Sequence, residues 1–179
     1  TYVYDKNEKI ITVKVEREAT SGDLIVKSVT PDVRSESNIV FNNRTTKKLT
    51  LKKITESKPL EKTTFTLNLT ATDTDNSRFN FDGVKVNGQP ITKTEDGAKI
   101  TIDVTENSNE GQVILTGIPT GVKINIRETD LPAGWYLVQD KSDSAVVMNG
   151  DKNAQVINKY NENGEINFKV AKSFNNWSK

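Results

Sequence analysis

Three polar residues fall on strand faces that are otherwise apolar: Lys53, Glu128 and Asn158. In Leu49-Thr50-Leu51-Lys52-Lys53, a period of two puts Lys53 on the face of Leu49 and Leu51, while Lys52 takes the opposite face. In Ile124-Asn125-Ile126-Arg127-Glu128 the glutamate shares a face with two isoleucines. Near the other end, Val156 and Asn158 share a face in the same way. An amine, an acid and an amide are each turned toward a core. A buried ionised group either neutralises through a shifted pKa or finds a partner, and either outcome makes it a candidate for proton chemistry.

The elements that must position these groups read as strands almost throughout. Alternating apolar runs occur at Ile11-Val13-Val15, Phe65-Leu67-Leu69, Phe79-Phe81, Val84-Val86, Ile100-Ile102-Val104 and Val113-Leu115, and no useful window carries a helical stripe. Asn87-Gly88 marks a tight hairpin, and the segments from Gly117 to Gly121 and from Asp130 to Gly134 mark further turns. Short strands at this spacing, rich in Thr, Val and Ile, predict an all-β fold, an immunoglobulin-like β-sandwich.

The segment VKINIRETDLPAGWY resembles the E-box of Gram-positive pilins and collagen-adhesin B-type (Cna-B-like) domains, in which tyrosine and leucine alternate up to Glu-Thr, followed by Ala-Pro-x-Gly-Tyr. Ile124 replaces the tyrosine, Leu131 the alanine and Trp135 the final tyrosine, all with apolar character kept. LTLKKIT is similar to the first strand of such a domain and VINKY to its last, usually Phe-x-Asn-x-Tyr. The match covers residues 46–161, with its three parts in the family's order. In that family a lysine and an asparagine join in an intramolecular isopeptide bond assisted by the glutamate. The resemblance implies a bond from Lys53 to Asn158, with Glu128 as the catalyst.

The residue types suit that chemistry. An ammonium is no nucleophile, and burial among apolar side chains lowers a lysine pKa, freeing the amine. A protonated Glu128 would polarise the Asn158 carbonyl and pass protons to the departing ammonia. The reaction occurs once per molecule, so the chain is expected to modify itself without turning over a substrate. The alternative is a buried Lys-Glu ion pair bonded to an Asn amide.

Composition narrows the other function classes. The 179 residues contain no cysteine and no histidine, which removes disulfides, thiol catalysis and the usual serine or cysteine triads and makes a zinc site improbable. No cofactor is expected. Charges nearly cancel, 25 basic against 24 acidic, and no basic stripe interleaved with aromatics points to nucleic acid. No apolar run reaches membrane-spanning length, and no signal peptide or sorting signal is visible; LPAGW is not an LPxTG anchor. Asp73, Asp75 and Asn76 form an oxygen-rich loop that lacks the glycine and distal glutamate of a calcium loop, and it reads as a solvated turn. Asn43, Asn68 and Asn176 head glycosylation-type triplets of the kind that arise by chance in a Thr- and Asn-rich chain. Lys47, Lys48 and Lys52 read as a solvated strand face, and Trp135 as a plug at the end of the sandwich.

The flanks suggest parts of a second pilin-type β domain. Residues 1–45 read as the C-terminal part of such a domain ending in IVFNN, where Phe41 and Asn43 share a face; residues 162–179 read as a linker and first strand, with Ile166, Phe168, Val170 and Lys172 alternating. Asn43 and Lys172 are thus candidate partners of a second cross-link, although Asn43 has no upstream lysine, Lys172 no downstream acceptor, and the glutamate expected before Tyr4 is missing. Two organisations are open: a segment of a tandem array, or a terminal strand of residues 163–179 that completes the 1–45 region in the same or a neighbouring chain. The resemblance implies a structural shaft or stalk domain of an extracellular, cell-wall-attached pilus or adhesin, with neighbouring domains or pilin subunits as partners. The alternative is an adhesin module contacting a host matrix protein or another cell.

Overall fold

Leu49, Leu51, Lys53 and Thr55 are buried while the residues between them are partly open, so the strand that carries them lies half in the core and half out. The computed structural model describes residues 1–5, 8–30, 41 and 43–161. In chain order the strands are β1 (Tyr2–Val3), β2 (Thr12–Arg17), β3 (Leu24–Thr30), β4 (Arg44–Thr55), β5 (Thr63–Thr72), β6 (Lys85–Val86), β7 (Gln89–Pro90), β8 (Thr92–Lys93), β9 (Ala98–Val104), β10 (Glu110–Pro119), β11 (Lys123–Thr129), β12 (Trp135–Leu137), β13 (Ala145–Val147) and β14 (Lys152–Tyr160). A single 3-10 turn, Gln139–Lys141, is the one helical element among the described residues.

Two sheets face each other. One runs β12-β14-β4-β10-β6-β7, with β1 pairing the start of β4; the other runs β13-β11-β5-β9-β8. Inward side chains from both sheets form one core that includes Leu49, Leu51 and Leu115 from the first and Leu67, Leu69, Ile100 and Ile124 from the second. This is an all-β sandwich, as the strand spacing predicts. Its pairings are antiparallel except one: β14 lies parallel to β4, with Val156 opposite Lys53 and Asn158 opposite Thr55. Parallel neighbours cannot be joined by a tight hairpin, and the intervening chain here supplies the rest of the sandwich.

Local details depart from simple alternation. The hairpin at Asn87-Gly88 is present, both residues having positive φ of 49° and 84°, as a two-residue type I′ loop requires. Phe79 and Phe81 do not alternate along a strand. Phe81 turns the backbone at φ 58° and drives its ring into the core, where burial worth about 1.5–3 kcal/mol offsets the strain. The chain reverses at Thr120 and Gly121, within the expected turn from Gly117 to Gly121, and Gly117 itself lies in a bulge inside β10 between Leu115 and Ile118.

The strand bearing Lys53 begins at Arg44, two residues before position 46 where the domain was expected to start. Strands β2 and β3 pair only with each other, and Val13, Val15, Leu24, Ile25 and Val26 are exposed.

Candidate functional site

Lys53 comes from β4, Asn158 from its parallel neighbour β14, and Glu128 from β11 in the opposing sheet. The parallel register sets Lys53 beside Val156 on adjacent strands, so the lysine side chain reaches along its neighbour toward Asn158. Pairing of Glu128 with Leu67 in the second sheet keeps the carboxylate facing the gap between the layers. The three residues singled out from parity are brought together in one place.

The Lys53 Nζ lies 2.5 Å from Asn158 Oδ1 and 2.9 Å from Glu128 Oε1, with the Val156 carbonyl oxygen at 3.4 Å. The Lys53 and Glu128 side chains are 0% and 1% exposed, and Asn158 is fully buried. Backbone atoms leave Glu128 half-buried as a residue, but its carboxylate oxygens are sealed from solvent. Glu128 Oε1 is ion-paired with the Lys53 ammonium, whereas Glu128 Oε2 and Asn158 Nδ2 have no hydrogen-bond partner among the described residues.

A buried polar atom without a partner costs about 1–3 kcal/mol, and two such atoms, Glu128 Oε2 and Asn158 Nδ2, meet at this point. The Phe65 ring, on β5, faces Lys53 with its centroid 4.5 Å from Nζ. Desolvation is the dominant influence on Lys53, lowering its pKa to about 8 against the opposing pull of the Glu128 carboxylate. A lysine with a depressed pKa, the carboxylate paired with it, and an amide whose NH2 has no partner among the described residues are thus held within contact distance and shut off from solvent.

Phe65 is part of this site although parity alone gave no sign of it, since facing residues of two sheets are not adjacent in sequence. It is the start of an aromatic series. The Trp135 ring packs edge-on against Phe65 at 5.4 Å, and Tyr160 packs on Trp135 at 5.2 Å. Trp135 is half-buried and caps this end of the sandwich, while Tyr136 beside it is exposed.

The remaining singled-out residues lie elsewhere. Asn43 precedes β4, is exposed, and accepts a hydrogen bond from the Asp5 N–H at 3.0 Å. It does not share an inward strand face with Phe41, which is exposed too. Lys172 and Asn176 lie outside the described residues. Asp73 holds Arg44 through both carboxylate oxygens, at 2.5 and 2.7 Å, and the guanidinium keeps its carboxyl below the usual range. Asp75 accepts from the Ser77 N–H, and hydrogen bonding from the Ser77 side chain and then its backbone holds the Asp75 pKa down. Lys48 is exposed, and Lys52 pairs with Glu110 at 3.1 Å. No helix among the described residues is long and apolar enough to cross a membrane.

No family model and no curated protein matches this chain. Among solved structures it is similar to the pilus-presented adhesin Spy0125 (Cpa), at 19% identity and a TM-score of 0.48 over 65% of this chain and 27% of the adhesin. It is also similar to the major pilin proteins T3.2 and T-13 from Streptococcus pyogenes. Those matches have 16% and 21% identity and TM-scores of 0.43 and 0.39, each over 89% of this chain and over 62% and 61% of the pilins. The chain therefore spans about a quarter of the adhesin's length and about three fifths of the pilins'.

Proposed function

We propose that the chain is a tension-bearing stalk segment of a pilin-type cell-surface fibre, whose sandwich is closed by an amide between Lys53 Nζ and Asn158 Cγ formed with the help of Glu128. The observation that carries this reading is the contact of Nζ with Asn158 Oδ1 at 2.5 Å and Glu128 Oε1 at 2.9 Å among side chains shut off from solvent. The E-box-like segment around Glu128 supports the same reading.

The steps balance as follows. One proton of the Lys53 ammonium passes to Glu128, leaving a neutral amine. The amine attacks Asn158 Cγ while the carboxylic acid polarises Oδ1; the Nζ–Cγ bond forms and the Cγ–Nδ2 bond breaks. Of the three ammonium protons, one stays on the new amide nitrogen, one completes the departing ammonia, and one remains on Glu128 until solvent takes it. Release of Nδ2 also removes a buried donor that has no partner.

The arrangement suits mechanical load. Lys53 lies near the end of β4 and Asn158 near the end of β14, so tension entering at one end of the sandwich and leaving at the other passes through the amide and spares the 104 residues between them. Partners are neighbouring domains or subunits of the same fibre, at the cell surface. Intact mass of the denatured chain, followed by a peptide map, tests the proposal. A mass lower by one ammonia with the Lys53 and Asn158 peptides joined is expected; an unmodified mass would reduce the site to an ion-pair network.

A further inference from the structure

We propose that Asn149-Gly150 is a second self-modification site, at which the Asn149 side chain loses ammonia to its own backbone and becomes a mixture of aspartate and isoaspartate. The sequence holds three Asn-Gly steps, at Asn87, Asn149 and Asn163, and the last lies outside the described residues. In such a step the nitrogen of the following residue attacks the amide carbon, and glycine, having no Cβ, leaves that nitrogen unshielded and its backbone free to turn. The bond from Gly150 N to Asn149 Cγ forms, the Cγ–Nδ2 bond breaks, and the Gly150 N–H proton departs with Nδ2 as ammonia. Water then opens the resulting succinimide at either carbonyl, giving aspartate or, with the backbone rerouted through the side chain, isoaspartate.

The fold treats the two described steps in opposite ways. Asn87 is held on both sides: its N–H donates to the Ile114 carbonyl oxygen at 2.9 Å, and its Oδ1 accepts from the Ile114 N–H at 2.9 Å. The side-chain amide thus stands in for a backbone carbonyl in the ladder with β10, and swinging Cγ onto the Gly88 nitrogen would break that bond and the tight turn with it. Asn149 is exposed, in the bend between the end of β13 at Val147 and the start of β14 at Lys152. Its N–H donates to the Val147 carbonyl oxygen at 3.0 Å, but its side-chain amide and the Gly150 N–H make no hydrogen bond among the described residues. A Cβ built on Gly150 meets nothing within 4 Å, so the space around the attacking nitrogen is open.

The product lies beside a joint of the sandwich. Asp151 Oδ1 accepts the Lys48 N–H at 2.8 Å and ties the start of β14 to β4. A carboxylate at position 149 sets a new negative charge next to that tie, and an isoaspartyl link adds a CH2 to the backbone there. The inference does not depend on the Lys53–Asn158 bond: reaction at Asn149 exchanges NH2 for OH, whereas the cross-link removes a whole ammonia, so mass separates the two.

The test incubates the full chain, folded and in guanidinium chloride, at mildly alkaline pH and follows its tryptic peptides by mass spectrometry over time. Lys93, Lys141 and Lys152 place Asn87 and Asn149 on separate peptides. In the folded chain the Asn149 peptide should convert to its aspartate and isoaspartate forms while the Asn87 peptide stays unconverted, and denaturation should bring Asn87 up to the rate of Asn149. Gly150→Ala, whose methyl meets open space, should leave thermal unfolding unchanged and slow the conversion sharply. Equal rates at the two positions in the folded chain would overturn the proposal, as would a product free of isoaspartate or undiminished conversion in Gly150→Ala.

Discussion

Replacing Lys53, Glu128 and Asn158 together by Met, Leu and Leu separates a covalent site from an ion pair by the sign of the stability change. If the three groups are merely paired, removing both buried charges and the amide in favour of apolar side chains of similar volume should leave stability unchanged or raise it by about 1–4 kcal/mol. If the amide exists, the substitution opens a closed loop of 105 residues, and the chain-entropy relation used for disulfides puts that loss at about 4.7 kcal/mol. A sandwich of about 120 residues has an unfolding entropy of about 0.25 kcal/mol/K, so the melting temperature should drop by about 20 °C. Differential scanning calorimetry of parent and triple variant reads this directly, and mass spectrometry of the same samples reports the bond. A triple variant that melts at or above the parent would refute the reasoning.

Glu128→Gln should leave the chain at its unmodified mass after folding, with the Lys53 and Asn158 peptides separate; a cross-linked Gln variant would remove the proton-carrying role. Asn158→Ala cannot cross-link and retains Lys53, whose pKa of about 8 lies below the ordinary 10.5. The unfolded chain then holds the extra proton between those two values, so stability should rise by up to about 3 kcal/mol from pH 8 to 10.5 and stay flat below 8. Urea denaturation across that range checks the sign, and a fall in stability over the same window would contradict it. Chains purified unfolded and refolded at set pH should form the bond at a rate that is level below about pH 8 and declines above it. Transfer from Lys53 to Glu128 leaves the proton count of the pair unchanged, and the pair loses its shared proton only above that point. A rate that climbs steadily with pH through 9 would favour simple amine deprotonation. Gly134→Ala should cost about 1–3 kcal/mol by chemical denaturation, because the residue has φ 81° and an added Cβ would come within 2.5 Å of the Tyr160 ring; a neutral outcome would mean that the ring gives way freely.

Strand parity made Lys53, Glu128 and Asn158 legible because a period of two is a local property of the backbone, readable from a handful of neighbouring residues. The Asn87-Gly88 hairpin was legible for the same reason, since the positive φ values demanded there fall on residues that tolerate them. Phe81 was not: its run looks like a strand, but filling the core with its ring outweighs alternation at that position. Asp73 reads as part of a solvated oxygen-rich loop until Arg44, twenty-nine residues earlier, is seen to hold both its oxygens. Asn43 has the inward parity of Asn158, but parity buries a residue only where a second layer covers that face, and among the described residues nothing does so there.

The sequence by itself determined the strand class and that Lys53, Glu128 and Asn158 point inward. Only the tertiary structure decided that an amine, an acid and an amide pointing inward meet one another. That meeting depends on β14 lying parallel beside β4 and on β11 facing both across the core, contacts between positions more than a hundred residues apart in the case of Lys53 and Asn158. The same packing put Phe65 over the amine and excluded water, and it is this desolvation that lowers the Lys53 pKa. The depressed Lys53 pKa is a property of the packed core, which no segment of the chain has until the two sheets come together.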